Sequence, residues 1–254
     1  AQTGRFPGGF PQTGDSALLF VQHIVNKMKP AAEGGARAAI VLAGSPLFNG
    51  DAGSGESEIR RWLLENDLIE AIVALPTELF FDTGIGTFIW ILSNRKTPER
   101  KGKVQLIDAR EFAAKVRKPT GMKRYEITDD LRGQIHEAYQ AFEHDSKVSK
   151  VFDNAFFGYR KVKVKIGKET DYERMGLTEN IEDYMAREVL PFEPKATVDG
   201  KFVDEQTKTV GRVGYEINFN RYFYVAKELE PAADILKRIQ ALEDDFALLM
   251  KGVL

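Results

Sequence analysis

Cysteine is absent from the 254 residues, which excludes disulfides and thiolate metal sites. No apolar run reaches the ~18 residues that a membrane-spanning helix needs. The N-terminus (AQTGRFPGGFPQTGDS) is rich in glycine and proline and lacks the apolar segment of a signal peptide. These absences predict a cytoplasmic protein. Because the chain opens in a loop-like stretch without methionine, we also expect a fragment of a longer protein.

The charges nearly balance, with a formal net charge of −2, but the bases are unevenly distributed. Residues 94–124 hold eleven Lys and Arg against three acids, and residues 160–168 hold five bases and no acid. A basic surface of this kind can follow a phosphate backbone. A solvated face or a set of intramolecular ion pairs is the alternative. The candidate DNA contacts in the first stretch are Arg95, Lys96, Arg100, Lys101, Arg117 and Lys118.

Apolar spacing in the first part of the chain predicts alternating helices and strands. A helix is expected from Asp15, as its cap, to Pro30, and another ends near Asn66. Unbroken apolar runs predict buried strands at 38–42, 69–75, 87–93 and 104–107. Only eleven residues (76–86) join the second strand to the third, which is short for a parallel crossover. We therefore predict a mixed sheet with helical cover and an antiparallel third strand.

The remaining sequence predicts a less regular region. Helices are expected at 128–142, 179–189 and 231–251, and strands at 157–166 and 213–219. The stretch 191–212 is polar and is expected to be a mobile loop. The last helix carries a coiled-coil-like seam of apolar residues: Ile235, Ile239, Leu242, Phe246, Leu249 and Val253. Packing within the same chain is the alternative for this seam.

Motifs that would carry catalysis are not found. The loop at 44–55 occupies the place of a phosphate loop, but Glu56 stands where a P-loop has lysine. The tripeptide Gly84-Ile85-Gly86 leads into a strand and is interpreted as a tight turn. The three histidines lack metal-ligand spacing, so no metal site is expected. Residues alone therefore identify no catalytic constellation.

Longer stretches of the chain carry a family resemblance. These are GDSALLFVQHIVNKMKP, AAIVLAGSPLFNGDAGSGESEIRRWLLENDLIEAIVALPTELFFDTGIGTFIWILSNRK, GKVQLIDAREF, SKVFDNAFFGYRKVKV and GYEINFNRYFYVAKELEP. In this order they resemble the modification (methyltransferase) subunit of type I restriction–modification systems. The resemblance implies an α/β fold: the C-terminal half of a Rossmann-like S-adenosylmethionine-dependent methyltransferase sheet with one antiparallel strand, followed by a mostly helical C-terminal region.

The resemblance also implies a function and partners. Such subunits methylate adenine N6 in DNA with S-adenosylmethionine, and they assemble with a specificity subunit and a restriction subunit. The family's glycine loop for the cofactor and its Asn-Pro-Pro-Phe/Tyr loop are both missing here, since none of the ten prolines follows Asn or another Pro. We expect this chain alone to be inactive and to bind no cofactor. A stand-alone interaction module and an unrelated α/β enzyme using the loop 44–55 are the alternatives.

The resemblance assigns roles to particular residues. Asp15 and Phe20, at the start of the first helix, resemble the segment beside the cofactor's adenine. Phe80 and Phe81 resemble the loop that offers an aromatic face to the flipped base, with core packing as the alternative. The terminal seam resembles the region that packs on the specificity subunit. The expected domains are 1–124 (half of the catalytic domain), 125–228 (an α+β extension) and 229–254 (an assembly helix).

Overall fold

The computed structural model describes residues 4–226 and 230–251. Its main element is a five-stranded mixed sheet with the order β1-β3-β2-β4-β7. The strands of this sheet are β1 (Arg37–Ala43), β2 (Ile69–Ala74), β3 (Thr87–Ser93), β4 (Lys103–Asp108) and β7 (Ser149–Asp153). Every residue of β2 is buried, as its unbroken apolar sequence predicts for a central strand.

The third strand is antiparallel, as predicted. β3 pairs antiparallel with both β1 and β2, whereas β2 and β4 pair in parallel. The short link after β2 therefore makes a direct reversal, and the longer path between β3 and β4 allows the chain to return in parallel. β1, β2 and β4 consequently end on the same edge of the sheet.

Helices cover both faces of this sheet. Helices α1 (Ala17–Lys27) and α3 (Gly55–Glu65) contribute to the core that holds Ile72 and Trp90. Helix α4 (Asp129–Ala141) contributes to the core that holds Val73. The adjacent residues Ile72 and Val73 of β2 thus pack into cores on opposite faces of the sheet, because successive side chains of a strand alternate between faces. The predicted Thr128 cap is confirmed, because its side chain accepts a hydrogen bond from the Leu131 amide.

The expectation that the first strand is covered on both faces is wrong. β1 is an edge strand that alternates between exposed and half-buried residues, and Val41 is 47% exposed. The loop that follows β1 also contains one turn of helix, α2 (Ser45–Phe48). An apolar run predicts a strand, but it does not show whether the strand lies inside the sheet or at its edge, with only one neighbouring strand.

The region after residue 110 contains more strand than the mostly helical expectation. A hairpin is formed by β5 (Ala114–Thr120) and β6 (Lys123–Glu126), and a second sheet is formed by β8 (Gly158–Ile166), β9 (Glu169–Gly176), β10 (Thr197–Val198) and β11 (Arg212–Tyr215). The expected helix near 179–189 is α5 (Ile181–Tyr184) continued by a π-helical turn, and α6 (Phe219–Tyr222) follows β11. Alternating Lys and Val in β8 place Val162 and Val164 in a separate small core.

The expected boundary at residue 124 is crossed by the main sheet, because β7 pairs with β4. The chain divides instead into a unit ending at Phe223 and a second unit that contains the helix α7 (Ala232–Lys251). The expected boundary at 228/229 lies outside the described residues, as does Val253 of the seam. None of the helices in the described ranges combines the length and apolarity that crossing a bilayer requires.

Candidate functional site

The carboxyl ends of β1, β2 and β4 define one edge of the sheet, here called the carboxyl edge. The loops 44–54, 75–86 and 109–113 leave from it. In open α/β sheets, ligands bind outside the carboxyl ends of the strands, where loops converge. The carboxyl edge is therefore the candidate functional site of this chain.

The loop 75–86 presents two aromatic rings at this edge. Phe80 is 37% exposed and Phe81 is 61% exposed, so core packing does not explain Phe81. The backbone carbonyl of Phe81 accepts a hydrogen bond from the Met122 amide at 2.8 Å, and the carbonyl of Glu78 accepts one from the Arg124 amide at 2.9 Å. These bonds fasten the aromatic loop to the β5–β6 hairpin. The ring of Phe81 is thus exposed on a backbone that is held in place.

The β5–β6 hairpin brings positive charge to the same edge. Its bases are Lys115, Arg117, Lys118, Lys123 and Arg124, and residues 114–125 contain no acid. Both predicted DNA contacts of this segment, Arg117 and Lys118, are exposed. The ammonium group of Lys123 lies 5.4 Å from the centre of the Phe81 ring. The structure therefore brings the predicted base-facing loop and one predicted basic segment together.

Four other predicted DNA contacts lie at the opposite edge. Residues 94–102 connect β3 to β4 at the amino ends of β2 and β4, a region called the amino edge here. Arg95 and Lys101 are exposed there, and Arg95 donates to the carbonyl of Gly34 at 2.8 Å. The predicted set is therefore split between two edges of the sheet.

Lys96 and Arg100 are not available to DNA, which corrects the prediction for both. The Lys96 side chain is 1% exposed and forms an ion pair with Asp67. Burial lowers the pKa of Lys96, although the hydrogen bond from its ammonium group to Asp67 works in the opposite direction. Arg100 is 6% exposed, donates to Gln105 at 2.9 Å, and has its guanidinium 4.2 Å from the ring centre of Tyr139. Both cations stabilise the interior.

The glycine-rich loop 44–54 is anchored through its acidic residue. The carboxylate of Asp51 accepts hydrogen bonds from the Tyr159 hydroxyl at 2.9 Å, from the Arg174 guanidinium at 3.1 Å and from the ammonium of Lys161. Burial acts to raise the pKa of Asp51, but the hydrogen bonds from Lys161, the Ala52 amide and Tyr159, with the charge of Lys161, outweigh it and bring the pKa to about 2. A carboxylate at this place disfavours a bound phosphate, so the geometry does not favour the phosphate-loop alternative.

Arg110, which the sequence did not single out, completes the carboxyl edge. At the end of β4 its guanidinium makes two bonds to Asp108, at 2.7 and 2.6 Å, and one to the side-chain oxygen of Asn220 at 2.8 Å. The hydrogen bonds to Asp108 raise the pKa of Arg110. The signal available in the sequence was an Asp-Ala-Arg triplet at the end of a predicted strand. Arg110 thereby fixes α6 beside the edge.

Helix α7 has an exposed apolar seam. The exposed fractions are 39% for Ile235, 47% for Ile239, 68% for Leu242, 64% for Phe246 and 70% for Leu249. Leu248, on the opposite side of the helix, is also 73% exposed. The predicted helix is confirmed, whereas the role of its seam stays a prediction.

Comparison with known proteins decides the family. The N-6 DNA Methylase family model matches residues 1–171. This chain belongs to the N-6 DNA methylase family. The resemblance to type I modification subunits is also confirmed, since the methylase subunit of the type I restriction enzyme HindI from Haemophilus influenzae is 34% identical over 112 residues, covering 44% of this chain and 24% of the relative.

Other similar proteins are also type I methyltransferase subunits. The MjaVIII methylase subunit from Methanocaldococcus jannaschii is 33% identical over 146 residues, covering 57% of this chain and 23% of the relative. The crystal structure of a type I methyltransferase subunit from Streptococcus thermophilus matches with a TM-score of 0.50 and 27% identity, covering 59% of this chain and 29% of that protein. The chain spans about a quarter of the length of these curated relatives.

The family implies S-adenosylmethionine, and the predicted cofactor residues can be tested for fit. Phe20 is 60% exposed and, with Arg5, Phe6, Ser16, Leu19 and His23, lines a pocket of about 350 Å³. The carboxylate of Asp15 accepts a hydrogen bond from the Ala17 amide at 3.2 Å, and Ser16 rather than Asp15 is the N-cap of α1. The pocket offers an apolar wall for an adenine ring, but its described lining residues include no carboxylate to bind a ribose. These residues do not fit the whole cofactor.

The part of the chain that the structure describes contains no group of three or more His, Asp or Glu side chains placed to hold a metal ion. The histidines of α1 and α4 thus belong to no such group in the described ranges. The candidate site consists of aromatic and basic groups at the carboxyl edge, which are groups for binding.

Proposed function

We propose that this chain supplies the DNA-facing part of a site-specific adenine-N6 DNA methyltransferase subunit of a type I restriction–modification complex. The observation that carries the proposal is the meeting, at the carboxyl edge, of an exposed aromatic loop and a basic hairpin whose residues 114–125 contain no acid, in a chain of the N-6 DNA methylase family. In this proposal the main sheet is the C-terminal half of a Rossmann-like methyltransferase sheet.

The proposed mechanism for these residues is one of binding and orientation. Adenine N6 is accessible only when the base is turned out of the duplex, because stacking hides it. Phe81, and Phe80 beside it, offer rings against which the flipped base stacks. Arg117 and Lys118 contact phosphates on the same side, which positions the duplex without reading its sequence. Methyl transfer itself belongs to cofactor and Asn-Pro-Pro-Phe/Tyr motifs that this sequence does not contain.

The cofactor requirement provides a direct test. Because the pocket beside Phe20 lacks a partner for the ribose, we expect no saturable heat when S-adenosylmethionine is titrated calorimetrically into this chain. A dissociation constant in the micromolar range would contradict the proposed division of labour. Titrating the same ligand into an intact methyltransferase of this family, with its glycine loop, is the positive control.

The proposed partners are DNA, a specificity subunit and a restriction subunit. The seam of α7 is proposed to pack on helices of the specificity subunit, because five apolar side chains on one stripe give a continuous surface to bury. The second candidate, an interaction module with weak DNA binding, rests on the same exposed seam. The two candidates differ in one respect: an interaction module would dock its partner but would not contribute to methyl transfer.

Replacing Phe246 with Asp is expected to weaken association with the specificity subunit by ~100-fold or more, since a central apolar anchor becomes a buried charge. Leu248→Asp is the matched control, because Leu248 is equally apolar and exposed but lies on the other side of α7. Size-exclusion co-elution or surface plasmon resonance measures both. Equal losses for the two variants would show that the seam is not the contact.

A further inference from the structure

The tip of the β5–β6 hairpin carries an apolar side chain in an exposed position. Met122 is 49% exposed although its neighbours along the hairpin are charged or polar. Its methyl end lies over Gly84, where an added Cβ would be 3.2 Å from Met122 Cε. Ile85, next to that glycine, is 56% exposed. The tip is therefore a small apolar surface on the loop side of the hairpin.

The tip is held rigidly against the aromatic loop. Gly121 has φ +57°, and a Cβ there would lie 2.2 Å from the carbonyl oxygen of Phe81, so only glycine allows this approach. The amide of Met122 then bonds to the same carbonyl at 2.8 Å. The guanidinium of Arg124 closes the turn by donating to the carbonyl of Gly121 at 2.7 Å. Met122 consequently has a fixed position relative to Phe81.

Charge identifies the partner of this surface. Residues 114–125 contain five bases and no acid. Arg117 and Lys118, which precede the tip in sequence, are exposed. A rigid apolar tip inside a basic surface matches the way in which proteins insert apolar wedges between base steps while their cations hold the phosphates. A purely apolar protein partner would leave these cations buried without counter-charges.

We propose that the β5–β6 hairpin is a DNA wedge, in which Met122 enters the stack at the position vacated by the flipped base. Arg117 and Lys118 hold the flanking backbone, and the bond between Met122 and Phe81 sets the distance between the wedge and the base-facing ring. Methionine suits this place because its unbranched thioether adapts to irregular gaps. The inference rests on the proposed function and adds to it the element that stabilises the open stack.

The wedge is tested by comparing the affinity of this chain for an intact duplex and for a duplex with a gap in its base stack. The comparison needs neither cofactor nor methyl transfer. The probes are a fluorescently labelled intact DNA duplex and the same duplex with one abasic site, titrated with this chain and followed by anisotropy. Because the abasic site removes the cost of unstacking, we expect the chain to bind it about tenfold more tightly. Met122→Ala should abolish this preference and retain the affinity for intact duplex, and Met122→Leu should keep both.

The basic residues give a separate readout. Arg117→Gln and Lys118→Gln should weaken binding to both duplexes equally. Each should also make the plot of log K against log salt concentration less steep by about 0.9. Lys195→Gln, at an exposed base outside both basic runs, is the matched control and should change neither. The wedge is overturned by equal wild-type affinities for the two duplexes, by failure to bind either, or by a Met122→Ala variant that keeps the preference. A failed methyl-transfer assay beside an intact abasic preference would instead count against the proposed function.

Discussion

Replacing Phe81 with Ala is expected to lower kcat/KM for DNA methylation, in the enzyme that contains this chain, by roughly 10- to 100-fold. Stacking of a base on an aromatic side chain contributes about 1–3 kcal/mol, and each ~1.4 kcal/mol corresponds to a factor of ten. Because Phe81 is 61% exposed, its removal should cost little folding stability. The backbone bond between the Phe81 carbonyl and Met122 does not depend on the ring and should survive.

Initial rates of methyl incorporation into duplex DNA measure this effect. Phe192→Ala is the matched control, since Phe192 is 80% exposed but belongs to neither the loop 75–86 nor the hairpin. We expect its kcat/KM to equal that of the wild type. Equal rates for all three proteins would remove Phe81 from the target-base site. An equal loss in both variants would indicate a general effect of removing an exposed ring.

Replacing Asp204 with Ala is expected to lower the free energy of unfolding by about 3 kcal/mol. Asp204 is 2% exposed, and its carboxylate accepts bonds from the Val213 amide at 3.0 Å, from the Thr207 amide at 2.9 Å and from Arg61 at 3.1 Å. Breaking a buried ion pair costs ~3–5 kcal/mol. We expect the lower end because Arg61 keeps Glu65, at 3.0 Å, as a partner.

Urea denaturation at neutral pH measures the loss, with Asp145→Asn as control. Asp145 has a side chain that is 79% exposed and pairs only with Lys150 among the described residues. Exposed pairs of this kind contribute less than ~1 kcal/mol. A loss at Asp204 no larger than that at Asp145 would mean that the loop 199–212 does not depend on this carboxylate.

The Asp204 contribution should also depend on pH. Burial acts to raise the pKa of Asp204, but the backbone amides of Thr207 and Val213 and the charge of Arg61 outweigh it and hold the pKa at about 2. A depressed carboxylate pKa stabilises the fold above the unfolded value, 3.8, and that stability is lost as the pH falls through about 2. The difference in the free energy of unfolding between the wild type and Asp204→Asn should therefore have its full value at neutral pH and be lost as the pH falls from roughly 5 to 2. A constant difference across this range would contradict the assignment.

The main sheet could be predicted from sequence because its determinants are local. The buried strands at β2, β3 and β4 are unbroken apolar runs, and the length of the link 76–86 fixed the antiparallel direction of β3. β7 and β9 were missed because their sequences mix polar and apolar residues. The pairing of β7 also depends on β4, which lies far earlier in the chain, whereas β9 forms a hairpin with β8 directly before it. The anchoring of the expected mobile loop 191–212 by Asp204 likewise depends on Arg61, far away in sequence.

The candidate site was predictable only in part, because charge runs do not reveal burial. Residues 94–124 look uniformly basic in sequence, yet Lys96 and Arg100 turn inward to Asp67 and Tyr139. The same run continues into a hairpin in which Lys115, Arg117 and Lys118 are exposed. The contact between Gly121 and the Phe81 carbonyl joins segments forty residues apart and has no signature in the sequence. The family resemblance implied the role proposed for Phe81, and the structure shows which residues lie beside it.

Methyl incorporation from labelled S-adenosylmethionine is the most direct measurement of the central claim. Duplex DNA is incubated with this chain alone, and with this chain plus a polypeptide of the same family that carries the glycine loop and the Asn-Pro-Pro-Phe/Tyr motif, in the presence of a specificity subunit. We expect label at adenine N6 only in the second mixture. Label transferred by the chain alone, or no label even in the complete mixture, would contradict the assignment of DNA binding to this chain and of cofactor chemistry to the missing motifs.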